Sequence, residues 1–269
     1  MSVLLQISDP HFGTEQAPVV AALTRFTREL APALLVLSGD LTQRARRSQF
    51  AAARRFVDGL GVPLQLALPG NHDVPLFNLA ARIFAPFANY LREFGPQLEP
   101  VVETADMLVI GVNTTIPRWH KDGRVSAQQV ERVAERLAAS DKMLRLVVTH
   151  QPVHVPRLSE EKNLLVGRNA AVQRWAAAGA DLILGGHIHL PFVRPLSERY
   201  PALPRRIWAV QAGTAVSSRI RADAPNSVNV IRFDATQTPL TCTVERWDCH
   251  LLQARFVLVE AHVLLLDRS

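Results

Sequence analysis

The chain has 269 residues, 48% apolar and 20% charged, enough to bury a large core and suited to one α/β domain spanning residues 1–269. No stretch approaches the roughly 18 uninterrupted apolar residues of a membrane-spanning helix. The opening MSVLLQISD meets an acid before a secretory apolar region can form, so no membrane partner is expected and the expected compartment is the cytoplasm. A net charge of +6 points towards an anionic partner, but the arginines are dispersed and Lys121, Lys142 and Lys162 are the only lysines. Nucleic acid is therefore not the expected partner.

In chain order, short β-branched and leucine-rich runs at residues 3–7, 34–37, 64–68, 108–112, 144–148 and 182–184 read as buried strands. Segments 19–30, 48–60, 126–139 and 169–178 carry helical spacing between them, with Ser126 and Gln129 forming a capping box. This alternation predicts a layered α/β architecture. Residues 76–94 are apolar at helical spacing and interrupted by Pro86; they read equally as a small helical cap within 74–100 or as a core helix pair. After Gly186 the pattern changes to strands without helices at 206–211, 228–233, 242–247 and 255–266, for which a second, mostly antiparallel sheet is expected. Cys242 and Cys249 lie far from every polar motif, so neither a disulfide framework nor a thiolate metal site is expected.

Five polar motifs follow predicted strands: Asp9-Pro10-His11, Gly39-Asp40, Gly70-Asn71-His72-Asp73, His150, and Gly185-Gly186-His187-Ile188-His189. Singly, each is ordinary turn chemistry or a hydrogen-bonded core histidine. Together they fall at the C-terminal ends of strands, and in an open α/β sheet those ends share one crevice. Carboxylate, imidazole and one amide oxygen, without thiolate, suit two divalent transition-metal ions such as Mn, Fe or Zn. A carboxylate such as Asp40 can bridge two ions, whereas imidazole cannot without losing its second proton. Two divalent cations, offset by two aspartates and a hydroxide, leave roughly +1, a charge that draws a phosphate anion towards a metal pair able to hydrolyse its ester.

These motifs resemble the calcineurin-like metallophosphoesterase superfamily, whose strand-end pattern is D-x-H, G-D, G-N-H-[DE], H and G-H-x-H; all five occur between residues 9 and 189. The resemblance implies a four-layer αββα sandwich of two mixed sheets with the site at the strand ends. It also implies that Asp9, His11, Asp40 and His189 hold one metal and Asp40, Asn71, His150 and His187 the other, while His72 acts on the leaving oxygen. Length and spacing are most similar to the small bacterial class III cyclic nucleotide phosphodiesterases and glycerophosphodiesterases. A small phosphodiester such as a 3′,5′-cyclic nucleotide is therefore the expected substrate. Phosphomonoesters, nucleic acid hydrolysis and a catalytically silent scaffold are the alternatives. After Gly39-Asp40 stands Leu-Thr-Gln-Arg rather than the Val-Asp-Arg-Gly of the protein phosphatases, which argues against that role. His154, between Pro152 and Pro156, is expected to be exposed; Gln151 reads as a support to the ligands or as a surface residue. Arg168, Arg219 and Arg221 are weak candidates for phosphate contacts, and the oligomeric state is left open.

Overall fold

A computed structural model describes residues 1–221 and 223–267. In the first strand, β1 (Ser2–Ile7), Leu4 and Leu5 are both fully buried but enter different cores. Successive side chains of a strand point to opposite faces, so an unbroken apolar run marks a sheet covered on both sides. The same holds for β2 (Leu34–Ser38), where Leu35 and Leu37 turn one way and Leu34 and Val36 the other.

Between these strands, α1 (Ala17–Leu30) begins with a proline at its first turn and packs Val19, Ala22, Leu23 and Phe26, one face of a 3.6-residue period. After β2 comes α2 (Arg47–Leu60), then β3 (Leu64–Leu68), and β1, β2 and β3 pair in parallel. The 76–94 segment forms two short helices. The first, α3 (Leu79–Phe84), buries no side chain, whereas α4 (Ala88–Phe94) buries Tyr90 against Phe50 of α2. Arg82 of α3 donates to the carbonyls of Pro117 and Trp119, tying α3 to the following loop.

The second half continues with β4 (Val101–Glu103), β5 (Met107–Gly111), α5 (Ala127–Ala138), β6 (Leu144–Val148), α6 (Arg168–Ala177) and β7 (Leu182–Gly185). The expected capping box is present at α5: the Gln129 amide donates to Ser126 Oγ at 3.2 Å, and the Ser126 amide to Gln129 Oε1 at 2.8 Å. Then follow β8 (Phe192–Pro195), β9 (Trp208–Gln211), β10 (Ser227–Phe233), β11 (Thr241–His250) and β12 (Arg255–Leu265). Two six-stranded mixed sheets result, in the orders β12-β11-β10-β1-β2-β3 and β4-β5-β6-β7-β9-β8.

Helices α1 and α2 cover the outer face of the first sheet, α5 and α6 that of the second, and a third apolar layer joins the two sheets through Leu4, Leu66, Leu146 and Leu184. This is the expected four-layer αββα sandwich. One expectation is corrected. The C-terminal strands do not form a separate antiparallel sheet, because β10 pairs antiparallel with β1 and extends the first sheet, while β9 pairs in parallel with β7 in the second. The strands after Gly186 are thus shared between the two sheets, β10 to β12 in the first and β8 and β9 in the second. Among the described residues no helix is long and apolar enough to cross a membrane. Cys242 and Cys249 are free and buried.

Candidate metal centre

Each expected ligand sits just beyond a parallel strand, in loops laced together by backbone hydrogen bonds: the Asp9 amide donates to the Gly39 carbonyl and the His11 amide to that of Asp40, both at 3.1 Å. This lacing holds a costly conformation. Asp9, His11, Asp40, His187 and His189 have φ values of 50°, 43°, 51°, 72° and 54°, in the left-handed region that side chains other than glycine rarely adopt. Such strain, about 1–3 kcal/mol per residue, persists where surrounding contacts over-determine the backbone, as at functional sites. Two glycines allow the loops to close: a Cβ on Gly39 (φ 100°) would strike the His150 ring, and one on Gly70 would strike the Asp40 carboxylate.

The side chains converge in two overlapping groups, Asp9 with His11 and His189, and Asp40 with His150 and His187; a third grouping joins His11, Asp40 and His72. In the first, His11 Nε2 and His189 Nε2 lie 3.1 Å apart, and Asp9 Oδ1 is 3.3 Å from His189 Nε2 and 3.7 Å from His11 Nε2. Asp40 reaches both groups, with Oδ2 3.7 Å from His11 Nε2 and Oδ1 3.3 Å from His150 Nε2. Asn71 Oδ1 completes the second group at 2.9 Å from His187 Nδ1 and 3.3 Å from His150 Nε2.

The donor set fits cations rather than a hydrogen-bonded core. Asp9 Oδ1 is buried without a hydrogen-bond partner. His150 Nδ1 faces the Ser38 carbonyl at 2.8 Å and His189 Nδ1 that of Arg219 at 2.7 Å, which assigns the proton to Nδ1 in both rings and leaves each Nε2 a lone pair. Once His150 Nε2 gives up the second proton of the cationic ring, its lone pair faces those of Asp40 and Asn71, and separations near 3 Å are the edges expected of a shell with metal bonds of roughly 2.1 Å. The charges agree. Burial opposes ionisation of both aspartates, yet His189 beside Asp9, and His150 and His72 beside Asp40, hold both carboxyls well below the usual range. Burial alone would lower His150, but Asp40 pushes it up to about 9; burial brings His187 and His11 down to about 3.

Asp73 belongs to none of these groups. Its buried carboxylate accepts from the Leu41, Thr42 and Gly70 amides and the Thr42 hydroxyl at 2.8–2.9 Å, clamping the Asp40 loop to the Asn71 loop. Burial and then the Asp40 charge push its pKa up to about 7 against those donors. His72, beside His11 and Asp40 in the third grouping, is held by its neighbours: its amide donates to Asp40 Oδ1 at 2.8 Å, its Nδ1 lies 3.0 Å from the Gln43 carbonyl, and its ring lines the cleft.

That cleft, of roughly 230 Å³, is lined also by Lys121, Glu160, Asn163, Arg219 and Arg221. Of the three arginines singled out from the sequence, Arg219 and Arg221 are here, whereas Arg168 donates to the Leu165 carbonyl away from it. Arg221 is held by Glu160 at 2.9 Å, and Arg219 Nη1 by Gln43 Oε1 at 2.8 Å. Lys121 and Glu160 carry no sequence signal, since both belong to irregular segments folded over the strand ends. Gln151 is buried and supports the loop of Lys121 by donating to its carbonyl. The expectation for His154 is corrected: it is 6% exposed, packed edge-on to Phe192 and 3.6 Å from Glu198, because β8 folds back over the 152–156 loop.

The family model for calcineurin-like phosphoesterases matches residues 2–191. A probable cyclic nucleotide phosphodiesterase of Synechococcus sp. is 26% identical over 206 residues, 71% of this chain and 74% of that protein. Among solved structures, a dimetal phosphatase from Danio rerio superposes with a TM-score of 0.66 at 13% identity, covering 99% of both chains. A purple acid phosphatase from yellow lupin seeds reaches 0.71 at 13% identity over 98% of this chain and 53% of that one. These two likenesses carry the fold. With its five strand-end motifs gathered in one cluster of side chains and the family model matched over most of its length, the chain belongs to the calcineurin-like phosphoesterase family and is a phosphoester hydrolase.

Proposed function

We propose that the chain hydrolyses small phosphodiesters, with 3′,5′-cyclic nucleotides first among them, at a centre of two divalent ions drawn from Mn, Fe or Zn. Asp9, His11, Asp40 and His189 would hold one ion and Asp40, Asn71, His150 and His187 the other, with Asp40 common to both sets. The observation that carries this reading is the position of Asp40, one carboxylate oxygen facing each group of ligands. Bound there, the ion pair supplies positive charge that polarises the phosphoryl group and lowers the pKa of the attacking water.

The protein's own groups do the rest. His72 presents Nε2 to the cleft and hands a proton to the leaving oxygen; with Nδ1 committed to the Gln43 carbonyl, that proton makes the ring cationic. Arg219 and Lys121 add positive charge to the cleft and orient the anionic phosphoryl oxygens. Helix α3, whose Phe77, Ile83 and Phe84 neighbourhood is 70–86% exposed, is read as a rim of the cleft held to the Lys121 loop by Arg82, within one domain of residues 1–269. The reduced, buried cysteines support a cytoplasmic setting.

The diester preference draws support from the Synechococcus relative's name and from the roughly +1 residual charge, which suits a monoanion. The deciding experiment is kcat/KM on one metal-loaded preparation for cyclic AMP, glycerophosphocholine, bis-nitrophenyl phosphate and nitrophenyl phosphate. A tenfold or greater preference for the monoester, about 1.4 kcal/mol in the transition state, overturns the diester reading.

A further inference from the structure

Four of the exposed apolar side chains are neighbours. Phe77, Leu79, Ile83 and Phe84 are 80%, 67%, 70% and 86% exposed, and α3, which carries the last three, buries no side chain at all. Leu79 and Ile83 lie one turn apart on the same side of the helix, and Phe84 stands next to them. None of the four lines the cleft, so a small substrate bound there leaves them in water. A six-residue helix without packed side chains draws little stability from its own hydrogen bonds, and contiguous apolar surface of this kind marks a contact with another body.

The charge around this helix is one-sided. Three segments meet here: Arg44 lies over the Phe77 ring at 5.4 Å, Arg82 donates to the Pro117 and Trp119 carbonyls, and Asn89 donates to the Ala45 carbonyl at 3.0 Å. Residues 41–57, 74–92 and 107–121 hold five, two and two arginines or lysines, and not one aspartate or glutamate. A chain of net charge +6 thus places more than its whole positive excess in three segments. Burial, and then the charges of His72, Arg82, Lys121 and Arg44, lower the pKa of His120, which sets those cations around one side chain. Lys121 also lines the cleft, so the basic face runs into its mouth.

We propose that this face, α3 with Arg44 and the 116–121 loop, docks the protein on an anionic phospholipid surface, with Leu79, Ile83 and Phe84 entering the acyl boundary and Arg44, Arg118 and Lys121 meeting the phosphates. The absence of a long apolar helix among the described residues bears on spanning a bilayer alone. Lying on one needs only a few apolar side chains in a basic surround. The chemistry selects this occupant. A second copy would set like charges against each other across a two-fold axis. Nucleic acid would satisfy the cations but gains nothing from the aliphatic Leu79 and Ile83. Because Lys121 belongs to both the face and the cleft, docking sets the mouth of the cleft at the lipid headgroups.

The test is co-sedimentation of the full chain with vesicles of equal parts phosphatidylglycerol and phosphatidylcholine, and with vesicles of phosphatidylcholine alone. Binding to the mixed vesicles should be at least about tenfold tighter than to phosphatidylcholine and should weaken as salt rises. Ile83→Ser combined with Phe84→Ser should weaken it at least about tenfold at an unchanged unfolding temperature, since neither side chain is packed. Met143→Ser, at an exposed apolar position before β6 and so at the opposite end of the strands, should bind as the unaltered protein does. Arg118→Glu should weaken binding to the mixed vesicles only. A chain that stays in the supernatant with both vesicles overturns the proposal, as does a double variant that binds as well as the original. Equal losses in the Met143→Ser protein overturn it too. Tight binding of a random oligonucleotide that the double variant retains would make the face a nucleic-acid surface and overturn the lipid assignment.

Discussion

The backbone carbonyl of Arg219 holds Nδ1 of His189 at 2.7 Å, while its guanidinium reaches to within 3.4 Å of His72 Nε2. One residue thus supports a ligand with its main chain and faces the cleft with its side chain. Arg219→Ala should keep its metal content and lose kcat/KM by roughly tenfold to a hundredfold, the size of one charge-assisted hydrogen bond. Inhibition by inorganic phosphate should weaken in parallel. Loss of metal in this variant would show that the guanidinium, and not the carbonyl, keeps His189 in place.

Asp40→Ala should lose both ions, because the carboxylate serves both ligand groups. Asn71→Ala and His150→Ala should weaken mainly one site. Elemental analysis after gel filtration checks both; two tightly held ions in Asp40→Ala would remove the bridge.

His72→Ala should retain its metals but slow hydrolysis by roughly 10² to 10⁴, the range of a positioned proton donor. The deficit should shrink for nitrophenolate, which needs no proton to leave. Equal losses with good and poor leaving groups would take His72 away from the leaving oxygen.

Metal binding should be pH-dependent through His150. Burial lowers its pKa, but Asp40 outweighs burial and pushes it up to about 9. The folded value lies above the ordinary 6.5, so the Asp40–His150 attraction stabilises the chelator-treated protein fully below pH 6.5 and is lost as pH rises through about 9. A metal ion must displace that proton, so affinity for Mn²⁺ should rise over the same interval. Calorimetry in buffers of different ionisation enthalpy should detect proton release near neutral pH, and His150→Gln should reduce that release, leaving the share of His189, whose pKa Asp9 raises against burial.

Asp73→Ala should destabilise the fold by roughly 3–5 kcal/mol, since it strands three buried amides and a hydroxyl at about 1–3 kcal/mol apiece with partial relaxation. Thermal unfolding and metal affinity should fall together, as the Asp40 and Asn71 loops lose their common clamp. Unchanged metal affinity in a destabilised variant would separate the clamp from the site.

The strand and helix order, the layered class and the strand-end positions of the seven proposed ligands were legible in the sequence because their signals are local. An apolar run such as 34–37 declares burial on both faces, and a residue two or three positions past a strand has little freedom in where it goes. Asp9, Asp40, Asn71 and His150 are placed by the strands before them. The tertiary structure alone decided which sheet β10 to β12 join, since an antiparallel strand carries the same alternation whichever neighbour it pairs with. It alone decided that His154 is buried, because its cover comes from β8, a strand too short to announce itself. And it alone brought Lys121, Glu160 and Arg219 to the cleft, since residues in long loops are positioned by what the loops pack against and not by any period in the chain.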